Sequence, residues 1–291
     1  MLQMVRNIIL ITVLTLLMSG CDRMDIKGFL IPTGDVVQKR FEQSMEMTGG
    51  DAVEGVSTKD QYTLYVCTDP HVDASAADNL QKFNDALRTD SDAALGIILG
   101  DCIGQNGKFQ EYLTATEYNA ERHSNNHNIY HILGNHDTHF GGWENFKRLI
   151  GPATYWFEVG FPTGKDLYIA LDTASGTLGG KQMDWLKSFL NDNRSRYRYC
   201  IILTHTYFFY TDRPQFSSGT MPLEESFALM EIFSRHRVNL VLQGHNHIRK
   251  ELTYNNVRYT VLGTINDESD SPEYLKIAVK EDNISYIWAK P

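Results

Sequence analysis

The sequence predicts an α/β fold of layered helices and sheet. Short apolar segments recur along the chain, and segments with helical spacing lie between them. Several of the apolar segments end in a polar cluster. Strands that are apolar on both faces must be covered on both faces, so helices are expected above and below them.

Taken in order, the first twenty residues stand apart. Arg6 precedes a nearly unbroken apolar run from Ile8 to Met18. A membrane-spanning helix needs about 20 apolar residues, so the run has the length of a signal-peptide core instead. It closes on Leu17-Met18-Ser19-Gly20-Cys21, which resembles a bacterial lipoprotein box with Met18 where Leu is more usual. The resemblance implies cleavage after residue 20 and a lipid on Cys21; an uncleaved anchor helix is the alternative. Residues 21–59 read as a tether carrying a short docked helix. Asp35 and Gln38 are spaced as a cap pair, and Val37, Phe41 and Met45 share one helical face.

From residue 60 to residue 291 the pattern is regular and reads as one domain. Strands are expected at Tyr62–Cys67, Leu95–Leu99, Ile129–Leu133, Leu167–Leu171, Tyr199–Leu203 and Val238–Leu242. Helices are expected at Ala76–Arg88, Phe109–His123, Trp143–Ile150, Gln182–Leu190 and Leu223–Arg237, with Trp185, Leu186, Phe189 and Leu190 facing inward. The tail from Glu251 to Trp288 alternates apolar and polar residues around Asn255-Asn256 and Glu281-Asp282-Asn283, which are hairpin signals.

Composition narrows the function classes. The chain has 291 residues, of which 42% are hydrophobic and 22% charged, so it can build an ordinary core. Its formal net charge of -9 argues against non-specific nucleic-acid binding, which depends on clustered Lys and Arg. Besides Cys21 the chain has Cys67, Cys102 and Cys200, all in or beside apolar runs; buried free thiols are expected rather than a disulfide.

The polar clusters carry the chemistry. They are Asp69-Pro70-His71, Gly100-Asp101, Gly134-Asn135-His136-Asp137, Thr204-His205 and Gly244-His245-Asn246-His247, each just past an apolar strand. In α/β proteins the crevice at the carboxyl ends of the strands is where sites form. The first three clusters are 32 and 34 residues apart, about one strand–helix–strand unit, so neighbouring strands would bring them together. Alternation is expected to place Asp69 and His71, and likewise His245 and His247, on one side of an extended backbone. A single His or Asp at a strand end is ordinarily a turn residue. A set of two Asp, one Asn and four His from among these, without Cys, suits divalent zinc, iron or manganese. It exceeds the needs of one tetrahedral ion, so two ions bridged by a carboxylate are expected.

These five motifs, in this order, resemble the calcineurin-like metallophosphoesterase superfamily. Leu171-Asp172-Thr173, Leu178 and Gln182-Met183-Asp184-Trp185-Leu186 resemble a further segment common in that family. The resemblance implies a four-layer sandwich, two mixed β-sheets flanked by helices. It assigns Asp69, His71 and His247 to one metal and Asn135, His205 and His245 to the other. Asp101 would bridge both, and His136 would contact the substrate phosphate as general acid or charge stabiliser.

Two departures matter. Many members carry a further Asp where this chain has Gly104, and no Arg follows it. That argues against the Ser/Thr protein phosphatase branch and leaves open what orients His136. Asp137, rather than Glu, leans toward phosphodiesterase-like branches.

The expected activity is therefore hydrolysis of a small phosphodiester by a metal-bridging hydroxide attacking phosphorus, in an enzyme lipid-anchored to the inner or outer membrane. The alternatives are a phosphomonoesterase of the same fold and a non-catalytic metal- or ligand-binding surface lipoprotein. His123, His127, His131, His139 and His236 match no motif and are expected at the surface or core edge. Asp73 is expected to be a turn cap. Tyr207-Phe208-Phe209-Tyr210 would either line a pocket for an aromatic group or anchor a buried loop, and Arg213 is expected to be solvated.

Overall fold

A computed structural model describes residues 33–58, 61–73, 77–104, 128–209 and 221–291. The apolar leader, Cys21, the expected helix Phe109–His123, His123, His127, Tyr210 and Arg213 lie outside the described residues.

The described elements are α1 (Thr33–Thr48), β1 (Val56–Ser57), β2 (Tyr62–Cys67), α2 (Asp78–Thr89), β3 (Ala93–Ile98), β4 (Asn128–His131), α3 (Gly142–Leu149), β5 (Tyr155–Phe161), β6 (Gly164–Ala170), α4 (Gly179–Asn193), β7 (Cys200–Leu203), α5 (Leu223–Arg235), β8 (Leu240–Gln243), β9 (Lys250–Tyr254), β10 (Val257–Val261), β11 (Tyr274–Val279) and β12 (Ile284–Ala289). No helix among the described residues is long and apolar enough to cross a membrane.

The strands form two mixed sheets. One has seven strands in the order β1-β5-β6-β7-β8-β10-β9, the other five in the order β12-β11-β2-β3-β4. The β2, β3 and β4 strands run parallel, as do β6, β7, β8 and β10. Both tail hairpins form, and the first turns on Asn255 and Asn256 with φ of 46° and 64°, the left-handed pair that a tight hairpin needs.

Alternation within the strands builds the layers. Tyr62, Leu64 and Val66 of β2 point between the sheets, where they meet Phe157, Tyr168, Leu203 and Leu242. Tyr65 and Cys67 point outward under α2 and α3, against Phe83, Leu87 and Phe146. On the other side Leu167, Ile169, Ile202 and Val241 pack beneath α4 and α5, against Leu186, Leu190, Leu229 and Phe233. The result is helix, sheet, sheet, helix. An aromatic stack ties the two sheets together: Tyr130 lies 3.7 Å from Phe157, which lies 4.8 Å from Tyr168, with the rings nearly parallel.

Three features depart from the sequence reading. The β5 strand is not among the expected segments. Trp185 and Phe189 are only half-buried, because they cover the outside of the layer against Phe41 and Trp156. The N-terminal helix is 16 residues long, with Asp35 inside it rather than before it, and it packs on α4. Val37 and Phe41 are buried there, and β1 extends the seven-stranded sheet along β5.

Arg40 fixes this N-terminal helix. Its Nε donates to Asp172 Oδ2 at 2.7 Å and its Nη2 to Oδ1 at 3.1 Å, with both side chains almost completely buried. Cys67, Cys102 and Cys200 are free and buried.

Candidate metal centre

The polar clusters meet at one mouth of the sandwich, but they come from both sheets. The β2, β3 and β4 ends supply Asp69, His71, Asp101, Asn135 and His136; β7 and β8 supply His205, His245 and His247. Convergence therefore depends on the packing of the sheets against each other, not only on neighbouring strands.

The backbone of the site is not extended. Asp69, His71, Asp101, His245 and His247 all have left-handed φ, between 46° and 71°. This corrects the expectation for the Asp69–His71 and His245–His247 pairs: their side chains converge through tight left-handed turns, not by strand alternation. Such conformations are uncommon for His and cost free energy, so the surrounding structure must hold them. Thr68 and Thr264 contribute: Thr68 Oγ1 donates to Asp69 Oδ2 at 2.6 Å and Thr264 Oγ1 to the Asp69 carbonyl at 2.7 Å. Two glycines admit the close approach. A Cβ on Gly134 would lie 2.1 Å from the Asp101 nitrogen, and one on Gly100, itself at φ +89°, would lie 2.6 Å from His205 Nδ1.

Nitrogen and oxygen atoms converge in two halves. In the first, His247 Nε2 lies 3.2 Å from Asp69 Oδ1 and 3.1 Å from His71 Nε2. In the second, His205 Nε2 lies 3.0 Å from Asn135 Oδ1 and 3.2 Å from His245 Nδ1. Asp101 sits between them: Oδ1 is 3.4 Å from His205 Nε2, and Oδ2 is 3.8 Å from His71 Nε2. The ligand atoms of Asp69, His71 and His247 lie within 4.8 Å of one another, as do those of Asp101, His205 and His245, and those of His71, Asp101 and His136.

Electrostatics agrees with this reading. Asp69 and Asp101 are fully buried; burial alone would neutralise them, but the surrounding imidazoles hold both carboxyls below the usual range. His71 is pushed down by burial, and His245 by burial and the neighbouring His205, to about 4. Both are thereby favoured in the neutral form whose nitrogen lone pair binds metal. Burial also opposes charge on His205, yet Asp101 raises it to about 10. Without a divalent cation, a proton on His205 is what compensates the paired carboxylates. The Nδ1 of His205 lies 2.7 Å from the Leu99 carbonyl, which leaves Nε2 facing Asp101 and Asn135.

His136 lies at the rim, with about a third of its side chain exposed. Its backbone nitrogen donates to Asp101 Oδ1 at 2.8 Å, its Nε2 is 4.0 Å from Asp101 Oδ2, and its Nδ1 contacts the carbonyl of Gly104. The missing aspartate is thus replaced by a backbone oxygen at the very position where the side chain is absent. Asp137 is buried and turned away from the opening. It accepts from the backbone nitrogens of Gly134 and Ile103, and burial, reinforced by Asp101, pushes it up to about 7.

Residues outside the five motifs hold the site from behind. Thr173 Oγ1 accepts from the backbone nitrogens of His205 and Thr206, at 3.2 Å and 3.0 Å. Next to it is Asp172, the partner of Arg40. Tyr207 and Phe208 are buried, and Tyr207 lies against His245 at 6.0 Å. His131 is buried in β4, and Asp73 is exposed.

A family profile described as calcineurin-like phosphoesterase matches residues 62–249. No curated protein matches the chain. Among solved structures, the anchor in the inner membrane complex of Plasmodium is 12% identical with a TM-score of 0.64, over 80% of this chain and 85% of that one. A purple acid phosphatase from yellow lupin is 15% identical with a TM-score of 0.61, over 80% of this chain and 52% of that one. A Thermus thermophilus protein is 15% identical with a TM-score of 0.52, over 78% of this chain and 98% of that one. This chain therefore spans about half the lupin enzyme. At these identities the likeness is one of fold.

Proposed function

The chain belongs to the calcineurin-like phosphoesterase family, and on that premise we propose that it hydrolyses a small phosphodiester with two divalent metal ions. The observation that carries the proposal is the position of Asp101, whose two oxygens face different halves of the site. The donor set fits the ions: carboxylates, imidazoles and an amide oxygen suit zinc, iron or manganese. Asp69, His71 and His247 would hold one ion, Asn135, His205 and His245 the other, and Asp101 both. When bound, the ions supply Lewis acidity, neutralising phosphoryl oxygens and activating water.

The chain's own residues do the rest. His136 places Nε2 at the opening while its Nδ1 rests against the Gly104 carbonyl, so Nε2 is the ring nitrogen left to face the substrate. From there it would serve the leaving oxygen as general acid. Among the described residues no cysteine competes as nucleophile: burial pushes the thiols of Cys67 and Cys102 well up and that of Cys200 to about 12.

Manganese-loaded protein is expected to cleave bis-nitrophenyl phosphate with higher kcat/KM than nitrophenyl phosphate. The reverse order would make it a phosphomonoesterase, and no hydrolysis of either would favour a non-catalytic binding protein. In the same assay His136→Ala is expected to lower kcat by about a hundredfold, the range of one general acid, with metal content unchanged. Loss of metal on that change would show His136 to be a ligand.

Independently of the activity, we propose that the protein sits in the cell envelope on a lipid at Cys21, a reading supported by the Leu17–Cys21 sequence. Labelled fatty acid is expected to enter the wild-type chain and not Cys21→Ser; equal labelling would exclude this anchor.

A further inference from the structure

The segment after His136 carries a feature that the reaction described so far does not use. A one-turn helix spans His136–Gly141, but its last residues leave the helical conformation: His139 is extended at φ -61°, ψ 146°, and Phe140 turns left-handed at φ 51°, ψ 33°. Gly141 follows at φ +80°. A left-handed glycine is unremarkable, but a left-handed phenylalanine is strained by its Cβ. Phe140 is also 39% exposed and belongs to none of the hydrophobic clusters, whereas Trp143 and Phe146 just after it are buried in the core. Neither backbone preference nor core packing accounts for an aromatic residue there.

Its neighbours give it a place. His71, inside the metal centre, lies 4.7 Å from His136; His136 lies 5.0 Å from His139; His139 lies 6.4 Å from Phe140. Four rings thus run in sequence from the candidate ligands to the surface. The run is anchored at the site, because the Thr138 nitrogen and Oγ1 both donate to the Asn135 carbonyl, at 3.1 Å and 2.8 Å. His136 is the group proposed to protonate the leaving oxygen, so what lies beyond it, away from the metal ligands, faces the leaving group.

We propose that His139 and Phe140 form the leaving-group subsite and that the group they accept is aromatic, an aryl or nucleobase-bearing alcohol. Phe140 supplies an exposed ring for the planar group, and His139 supplies a hydrogen bond to its polar edge. Strained backbone at a site rim, held by the turn behind it, is where such a residue is expected. The inference rests on the phosphoesterase reading for the placing of the leaving group, but its test does not depend on turnover.

The test is calorimetric binding of phenylphosphonate and methylphosphonate, neither of which is hydrolysed, to the manganese-loaded full chain. Wild type is expected to prefer the phenyl compound, and Phe140→Gly to lose about tenfold in affinity for it while binding methylphosphonate as before, the order expected for one aromatic pair. Glycine suits φ 51°, so this variant should melt at or above the wild-type temperature. Phe140→Asn, also tolerant of that φ, serves as a second variant, and His139→Ala should weaken binding of 4-hydroxyphenylphosphonate, whose ring carries a polar edge, while leaving phenylphosphonate binding as before. No preference in wild type, or equal loss for both ligands with a lowered melting temperature, would overturn the subsite. A phenyl preference lost on Phe140→Gly, in a protein that hydrolyses no phosphoester, would leave the subsite standing and remove the enzymatic reading.

Discussion

Asp101→Asn is expected to lower turnover roughly a hundredfold to ten-thousandfold while leaving the fold intact. The size follows from the position of the carboxylate. One oxygen faces His205 and the other His71, so a single change removes negative charge from both halves of the site. Several kcal/mol of charge stabilisation depend on cations held there, and each 1.4 kcal/mol is about tenfold in rate. The fold should survive because Asn tolerates the left-handed φ of 50° and keeps an oxygen to accept from the His136 nitrogen. The measurement pairs kcat with metal content per chain and melting temperature. Near-wild-type turnover with two metals bound would exclude a bridging role. Lost turnover with a collapsed melting temperature would indicate that Asp101 serves the fold instead.

Much of this site was legible because its residues act through side chains at the ends of strongly patterned strands. Tyr62–Cys67 is bounded as the sequence predicts, and the eight side chains named from the motifs converge at one mouth of the sandwich. Local alternation cannot report which sheet a strand joins, so the division of the ligands between two sheets was not visible in the residues themselves. The left-handed turns escaped for a related reason. Asp and His visit positive φ more often than most residues, but a single one at a strand end does not mark a left-handed turn, unlike the Asn255-Asn256 pair, whose hairpin the sequence does predict.

Groups that act through the backbone are hidden altogether. Gly104 reads as the loss of an aspartate, yet its carbonyl meets the His136 ring at Nδ1. Thr173 supports His205 through a hydroxyl 32 residues away in sequence, and no periodicity encodes that distance. Arg40 is the extreme case. It lies outside the residues matched by the family profile, in the short docked helix expected within the tether, and it bonds a side chain 132 residues away.

Arg40→Met is expected to destabilise the protein by about 3–5 kcal/mol, because it leaves the Asp172 carboxylate buried without its cation. In a chain of this length that corresponds to a fall in melting temperature on the order of 10 °C. The methionine keeps most of the volume, so the loss reports the charge rather than a cavity. Asp172 would retain only weak compensation, since Oδ1 also accepts from the Ala174 nitrogen at 3.2 Å. Adding Asp172→Asn should recover part of the loss by removing the orphaned charge, although the two Arg40 hydrogen bonds and the one to Ser175 Oγ at 3.0 Å stay lost or altered. A merely additive double variant would show that the pair is not coupled. The effect should also reach the metal centre. Asp172 precedes Thr173, whose hydroxyl holds the backbone of His205 and Thr206, and Thr206 Oγ1 returns a bond to the Thr173 carbonyl at 2.6 Å. Loosening this turn should weaken retention of the ion assigned to Asn135, His205 and His245, measured by competition with a chelator, by about tenfold, the lower end of what outer supports of metal ligands contribute. The other half of the site, built on the ends of β2 and β8, should hold its ion as before. Equal loss from both halves would mean that Arg40 acts through global stability alone, and an unchanged melting temperature would mean that α1 is dispensable to the domain it packs against.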